Sequence, residues 1–438
     1  MSDVKVGRVV RRVALVAGAV GVLLLALVGL LSLTRGTPID HVLAIGDSSG
    51  IPAVDDSLFA RSVQLYTGAH PSASNRVELL LNGDGTYPIL WRELRAARRT
   101  ITAQLYYSQP SGVADTLAAI LSERARAGVR VLLLLDAFGS QNLGQAWAGG
   151  LRRAGVQLEY LRPLRWYTLD KANNRSHVRT VVIDGTVGYT GGFGLADYWL
   201  GGGHADGEWR ETNVRVEGPE VPQLQAAFAA AWAEATGKLL TGDLFFPPAA
   251  FAARGNVTAA MLHTAPTTGS TPAERLLAIS LVSARKRLYV TNSYFLPDDD
   301  FRAFLVGRAR AGVDVRILTA STKTDIKSVY YAGRARYEEL LKGGVRIYEY
   351  QPTMVHAKTF VVDGMWSAIG SMNFDNRSLS LNDEINLLVL DRGVGAAMDS
   401  LFLDDLRYSR EITLPSFARR PWYERLFEQA TNLVSRVL

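Results

Sequence analysis

The chain has 438 residues, room for two to three domains, and an ordinary globular composition outside its N-terminus. Its net charge of +6 suits anionic lipid or nucleic acid, though a solvated basic surface is the commoner reason for such a charge. Cysteine is absent, which excludes disulfides, thiolate catalysis and cysteine-ligated zinc. The first element follows a basic segment, residues 1–12, with Lys5, Arg8, Arg11 and Arg12 against Asp3. Val13–Leu33 is uncharged, rich in Leu, Val, Ala and Gly, and long enough to span a bilayer. It is long for the apolar core of a signal peptide, and no clear small-x-small cleavage site follows. The run therefore reads as an uncleaved single-pass transmembrane helix. The basic flank puts the N-terminus in the cytoplasm and the remainder outside. Residues 34–74 carry Gly, Pro, Ser and Asp and read as a linker or lead-in.

A first half spans 75–243, opening on the strand-like Val77–Leu81 and closing on a helix over Gln223–Ala235. Inside it lies His177-Val178-Arg179-Thr180-Val181-Val182-Ile183-Asp184-Gly185. Residues 244–270 are a connection rich in Pro, Gly and Thr. A second half spans 271–414 and repeats the phrase as His356-Ala357-Lys358-Thr359-Phe360-Val361-Val362-Asp363-Gly364, 179 residues on. Arg124-Ala-Arg-Ala-Gly-Val129 likewise recurs as Arg308-Ala-Arg-Ala-Gly-Val313, each leading into an apolar strand-like run. The repeats predict an α/β duplication whose motif strands meet across a pseudo-twofold axis. In 415–438, Trp422, Leu426, Ala430, Leu433 and Val437 recur at helical spacing. That helix reads as packed on the domain, with docking to a membrane interface left open by its aromatic start after Arg419-Arg420.

In an extended strand, residues two apart share a face, so each histidine projects with its cation. Such a pair suits a phosphodiester: imidazole attacks phosphorus or carries a proton, and the cation holds phosphate oxygens. No H-E-x-x-H, EF-hand or P-loop motif appears, and no metal or other cofactor is expected. Tyr106-Tyr107, Tyr294-Phe295 and Trp366 read as core rather than as ligand contacts. His41, His70 and His263 fall in expected loops, and His204 in a Gly-rich insertion.

The doubled H-x-[KR]-x4-D phrase resembles the signature of the phospholipase D superfamily. So do the second-half run from Gly370-Ser371 through Asn373 to Ser378, and then Glu384-Ile385-Asn386. Thr190-Gly191-Gly192 with Ala196-Asp197, and Trp209-Arg210-Glu211-Thr212 leading to Val216-Glu217-Gly218-Pro219, are similar to its bacterial cardiolipin synthases. The resemblance covers roughly residues 75–438. It implies two phospholipase D-like α-β-α halves, mixed β-sheets flanked by helices, and a two-step phosphatidyl transfer. In that scheme His177 is the nucleophile and His356 the acid. Arg179 and Lys358 are the phosphate clamps, and Glu211 and Glu384 the carboxylates behind the imidazoles. Asp184 and Asp363 complete the catalytic set as braces of the motif strands, and Ser371 and Asn373 bind phosphate. The implied partners are a membrane and anionic glycerophospholipids such as phosphatidylglycerol, without nucleic acid and with no need for oligomerisation. The first half departs from the pattern at Arg179, where lysine is usual. It departs again at Gly192 and Gly194, which fall where the second half has Ser371 and Asn373. Two alternatives stay open: a phospholipase D or nuclease on the same scaffold, and a lipid-binding pseudoenzyme with a degenerate first half.

Overall fold

The computed structural model describes residues 3–32, 39, 41–42, 50–164, 173–267 and 269–433, with the side chains of 3–10 and 28–32 excepted. First-half strands are β1 (Ser72–Leu81), β2 (Thr100–Leu105), β3 (Arg130–Asp136), β4 (Gln157–Leu161), β5 (Thr180–Ile183), β6 (Val187–Gly191) and β7 (Thr212–Glu217). Those following are β8 (Val257–Thr264), β9 (Arg287–Asn292), β10 (Asp314–Ala320), β11 (Arg346–Tyr350), β12 (Lys358–Val362), β13 (Trp366–Gly370), β14 (Glu384–Leu390) and β15 (Ser409–Ile412). They form one mixed α/β sheet, ordered β15-β11-β10-β9-β12-β13-β14-β8-β1-β7-β6-β5-β2-β3-β4. Outward from the central antiparallel pair β1–β8, both sides run through the same succession of strands, and β15 adds an edge strand on the second side that the first lacks.

The apolar motif runs are buried on both faces, as expected of central strands. Val181 and Ile183 face one core with Ile101 and Leu133. Val182, on the opposite face, joins Val361, Ile369 and Leu387 from the other half. Period-two alternation thus gives each half an outer core and gives both a shared inner one. Each run ends in an Asp-Gly turn with left-handed backbone: φ is 52° at Asp184 and at Asp363, and 68° and 64° at the glycines that follow.

The helix Asp3–Ser32 contains most of the expected membrane run. That run, Val13–Leu33, extends beyond the described side chains, which in this helix cover 11–27. Among the described residues no helix is long and apolar enough to cross a membrane. The lead-in over 34–74 holds a packed helix, Ser57–Thr67, whose Phe59 and Val63 are buried in the core of the second half. Its buried side chains recur every four residues, a short helical period hidden among loop-forming residues. His263, read as a loop residue, lies in β8 opposite Ile385. Beyond β15 the terminal helix is Trp422–Leu433, and Val437 lies outside the described residues.

Candidate active site

His177 stands three residues before β5 and His356 two before β12, at the strand ends that face the same cleft. Short cross-links hold them there. Ser176 bridges Asp383, and His177 N–H donates to the Asp383 carbonyl at 2.9 Å. Arg210 bridges Val355, and His356 N–H donates to the Arg210 carbonyl at 2.7 Å. Each histidine segment is therefore stitched to the residue just before the other half's glutamate. The consequence is a crossed pairing. His177 Nδ1 meets Glu384 Oε2 at 2.9 Å, and His356 Nδ1 meets Glu211 Oε2 at 2.6 Å.

The cations are equally matched. Arg179 Nη1 donates to the His177 carbonyl at 3.1 Å, and Lys358 Nζ donates to the His356 carbonyl. Lys358 also donates to Ser293 Oγ at 2.8 Å. In the first half the position corresponding to Ser293 is Tyr106, whose ring centroid lies 5.7 Å from the Arg179 guanidinium carbon. The longer cation is accommodated by a cation–π contact where the shorter one takes a hydroxyl.

The two glycines have a structural reason. A Cβ on Gly192 would collide with the Glu211 carboxylate, so its absence leaves room for the partner of His356. A Cβ on Gly194 would come within 2.7 Å of the Trp199 ring. Trp199 packs edge-on to His356 at 5.3 Å between centroids, and Trp209 stacks on it at 4.9 Å and 29°. His177 has Tyr106 edge-on at 4.9 Å. The first half has thus exchanged polar groups for aromatic walls around the opposite histidine.

One expectation is sharpened and one corrected. Asp184 and Asp363 lie away from the cleft, at the far ends of the motif strands. Asp363 accepts the backbone N–H groups of Arg285, Lys286 and Arg287 at 2.9, 2.7 and 2.8 Å, and Asp184 accepts those of Arg98, Arg99 and Thr100. Their left-handed turns point the carboxylates at the starts of β9 and β2, where they brace the motif strands without touching the cleft. Ser371 donates its hydroxyl to Glu384 at 2.5 Å and accepts from Ile385 N–H, which places it behind His177 rather than on phosphate. Asn373 does line the cleft, and its buried Oδ1 takes no hydrogen bond among the described residues.

The cleft encloses about 250 Å³. Besides His177, His356, Arg179 and Asn373 it is lined by Tyr106, Tyr107, Tyr294, Trp199 and Trp209, and by Asp375 and Arg377. None of these seven was singled out from sequence for the site. The available signal was position: the tyrosines follow β2 and β9 at the strand ends that carry the motifs. Phe295 and Trp366 are core residues, as read. His204 sits outside the cleft, with Nδ1 2.7 Å from Tyr350 Oη.

The electrostatics are unequal. Burial tends to raise the Glu211 carboxyl, but His356, Lys358 and the Thr212 N–H outweigh it and bring it to about 2. Burial raises Glu384 to about 7, against the hydrogen bond from Ser371 and the field of Arg179. Burial, then the cations Arg179 and Lys358, lower His177; burial, then Lys358, lower His356 to about 3 although Glu211 opposes them. Burial and Arg179 bring the Lys358 ammonium down to about 7. Burial and the two cations disfavour charge on both imidazoles, a bias that an incoming phosphodiester anion opposes.

A two-part sheet that brings paired histidine–cation motifs to one cleft defines the phospholipase D-like class of proteins. Residues 277–406 match the family described as "Cardiolipin synthase, PLD-like domain". Cardiolipin synthase from Geobacillus kaustophilus is 35% identical over 374 residues, 85% of this chain and 74% of that protein. Cardiolipin synthase A from Pseudomonas putida (strain W619) is 33% identical over 408 residues, 91% of this chain and 84% of that protein. The crystal structure of phosphatidylserine synthase from Haemophilus influenzae Rd KW20 has the same fold. Its TM-score is 0.66 at 14% identity, over 86% of this chain and 99% of that one. The chain belongs to the cardiolipin synthase family, phosphatidyltransferases of the phospholipase D-like class.

Proposed function

We propose that this cardiolipin-synthase-type phosphatidyltransferase works through a phosphohistidine on His177. His356 is the proton carrier, and phosphatidylglycerol or a related anionic glycerophospholipid is the donor. The observation that carries this reading is the crossed pairing of each imidazole Nδ1 with a glutamate of the opposite half. A ring that gives its Nδ1 proton to a carboxylate keeps its basic lone pair on Nε2. His177 Nε2 attacks phosphorus, and the bond from phosphorus to the headgroup oxygen breaks. That oxygen takes its proton from His356, which enters the step as an imidazolium, its Nδ1–H on ionised Glu211 and its Nε2–H on the leaving oxygen. His356 leaves the step neutral, with a lone pair on Nε2. In the second step His356 Nε2 accepts the proton of an acceptor hydroxyl. The hydroxyl oxygen then displaces His177 from phosphorus, which restores the starting state. Arg179 and Lys358 hold the non-bridging oxygens, with Asn373 beside them.

The order of roles rests on the unequal carboxylates. Glu211, ionised down to about 2, stabilises a charged imidazole, and the Trp209 ring stacked on His356 adds cation–π support to it. Glu384, nearer neutrality, holds His177 as the uncharged nucleophile. Incubation with phosphatidylglycerol labelled in its phosphatidyl group tests this. Denatured enzyme should carry label on His177, none in His177→Ala, and longer-lived label in His356→Ala. Label on His356 overturns the assignment, and absence of both label and cardiolipin product overturns the reading.

The repeated strand order supports two halves about a pseudo-twofold, but with other bounds than 75–243 and 271–414. β1 opens the first at Ser72, and its counterpart β8, Val257–Thr264, opens the second inside the 244–270 expected as connection, with 415–438 following. The uncharged run Val13–Leu33 behind a basic flank supports a single transmembrane anchor with the catalytic halves outside. A C-terminal alkaline phosphatase fusion should be active and a fluorescent-protein fusion dark; the opposite pattern overturns that topology.

A further inference from the structure

The terminal helix Trp422–Leu433 is turned around relative to an ordinary surface helix. Its protein-facing stripe is Glu424, Glu428 and Thr431, and Glu428 is fully buried. Arg334, on the helix Lys327–Arg334, binds that stripe. Its Nη2 meets Glu424 at 3.1 Å and its Nε meets Glu428 at 3.2 Å, while Nη1 holds Glu349 at 2.9 Å. Arg420 Nε adds a second contact to Glu428 at 2.8 Å. The outward stripe carries Trp422, Leu426 and Leu433, which are 75%, 61% and 82% exposed, with Tyr423 and Phe427 alongside. Charge fastens this helix to the protein, and its large apolar side chains are presented outward. Packing on the domain therefore does not account for the apolar spacing that marks the helix in sequence.

Its surroundings indicate what covers the face. The terminal helix lies along Lys327–Arg334, with the Phe427 ring 5.8 Å from Tyr331. Lys327–Arg334 starts directly after Ile326, and Ile326 and Val329 line the catalytic cleft. Two exposed apolar side chains, Ile326 and Phe138, belong to that same cleft. Arg419 and Arg425, both exposed, flank the apolar stripe with cations that complement anionic headgroups. Trp and Tyr at the helix start combine an apolar body with a polar tip, as suits a bilayer interface.

We propose that Trp422–Leu433 is an interfacial helix that seats its outward face in an anionic phospholipid bilayer, next to the cleft mouth. A diacyl substrate then reaches the histidines with its chains still in the membrane. The proposal rests on the reading of a glycerophospholipid substrate.

The full chain lacks cysteine, so Leu426→Cys supplies a unique thiol for a polarity-sensitive dye. On phosphatidylglycerol vesicles its emission should shift to the blue and be quenched by acyl-chain-brominated lipid, with less effect on phosphatidylcholine vesicles. Emission unchanged from water overturns the proposal. So does a blue shift that grows with protein concentration without lipid, which assigns the face to a second copy. In a second arm, Leu426→Glu combined with Leu433→Glu should cut turnover of vesicle phosphatidylglycerol by about tenfold or more, the loss of roughly 1.4 kcal/mol of docking. Turnover of a short-chain, water-soluble phosphatidylglycerol should stay unchanged. Equal loss on both substrates overturns a docking role. If the unaltered chain fails on the short-chain lipid, the substrate reading has failed, and the dye alone decides docking.

Discussion

Gly192 illustrates how a departure from a motif is judged by what its missing atoms would touch. A side chain there would occupy the space of the Glu211 carboxylate, so Gly192→Ala should displace Glu211 from His356. Its kcat should fall by about 10²–10⁴, the usual worth of a positioned acid–base group, and match that of Glu211→Ala. Steady-state kinetics on the two variants, and on the pair combined, check this: a shared cause makes the losses non-additive. Lys358 gives a prediction in pH. Burial and Arg179 bring its ammonium to about 7, so it is charged below that pH and neutral above. kcat/KM for an anionic donor should therefore fall as pH rises through about 7, as the clamp loses its proton. In Lys358→Arg the guanidinium keeps its charge, and that descending limb should disappear from the pH profile.

The motif strands end in turns whose aspartates work on structure. Asp363→Ala frees three backbone N–H groups and puts alanine at φ 52°. Urea unfolding should register a loss of about 1–3 kcal/mol, while kcat per folded molecule stays unchanged. Asp363→Asn, which tolerates that backbone, should lose less. These turns were legible in sequence because an Asp-Gly pair after an apolar run is a local signal. The histidine–cation phrases were legible for the same reason, as was the duplication they mark. The crossing of the glutamates was not, because it depends on Ser176 meeting Asp383 and Arg210 meeting Val355, contacts between residues far apart in the chain. Trp199 and Trp209 were hidden likewise: nothing near them in sequence says that they enclose the other half's histidine. Ser371 misled because a hydroxyl beside a phosphate motif can serve either the phosphate or the carboxylate behind the imidazole. The helix Ser57–Thr67 was lost among glycines, prolines and serines, although its apolar side chains belong to the second half's core.

At the scale of the molecule, β1–β8 pairing and the shared inner core make the two sides one body. Arg162 of the first side adds an ion pair to Asp383 of the second at 2.8 Å. Cutting the chain between Thr241 and Gly242, in an exposed segment, should therefore give fragments that are inactive singly and active when co-expressed. Lipid product from co-expressed but not separate fragments is the expected result, measured by mass spectrometry. The crossed carboxylates also bear on inheritance. Duplicated segments ordinarily drift apart because each can spare what the other retains. Here a histidine depends on a glutamate borne by the sister copy, so neither copy is a spare. Substitutions that must change in concert should fall in opposite copies, His356 with Glu211 and its neighbour Gly192, His177 with Glu384 and Ser371. That interdependence would hold the first half to its task although Arg179, Gly192 and Gly194 stand where the second half has Lys358, Ser371 and Asn373.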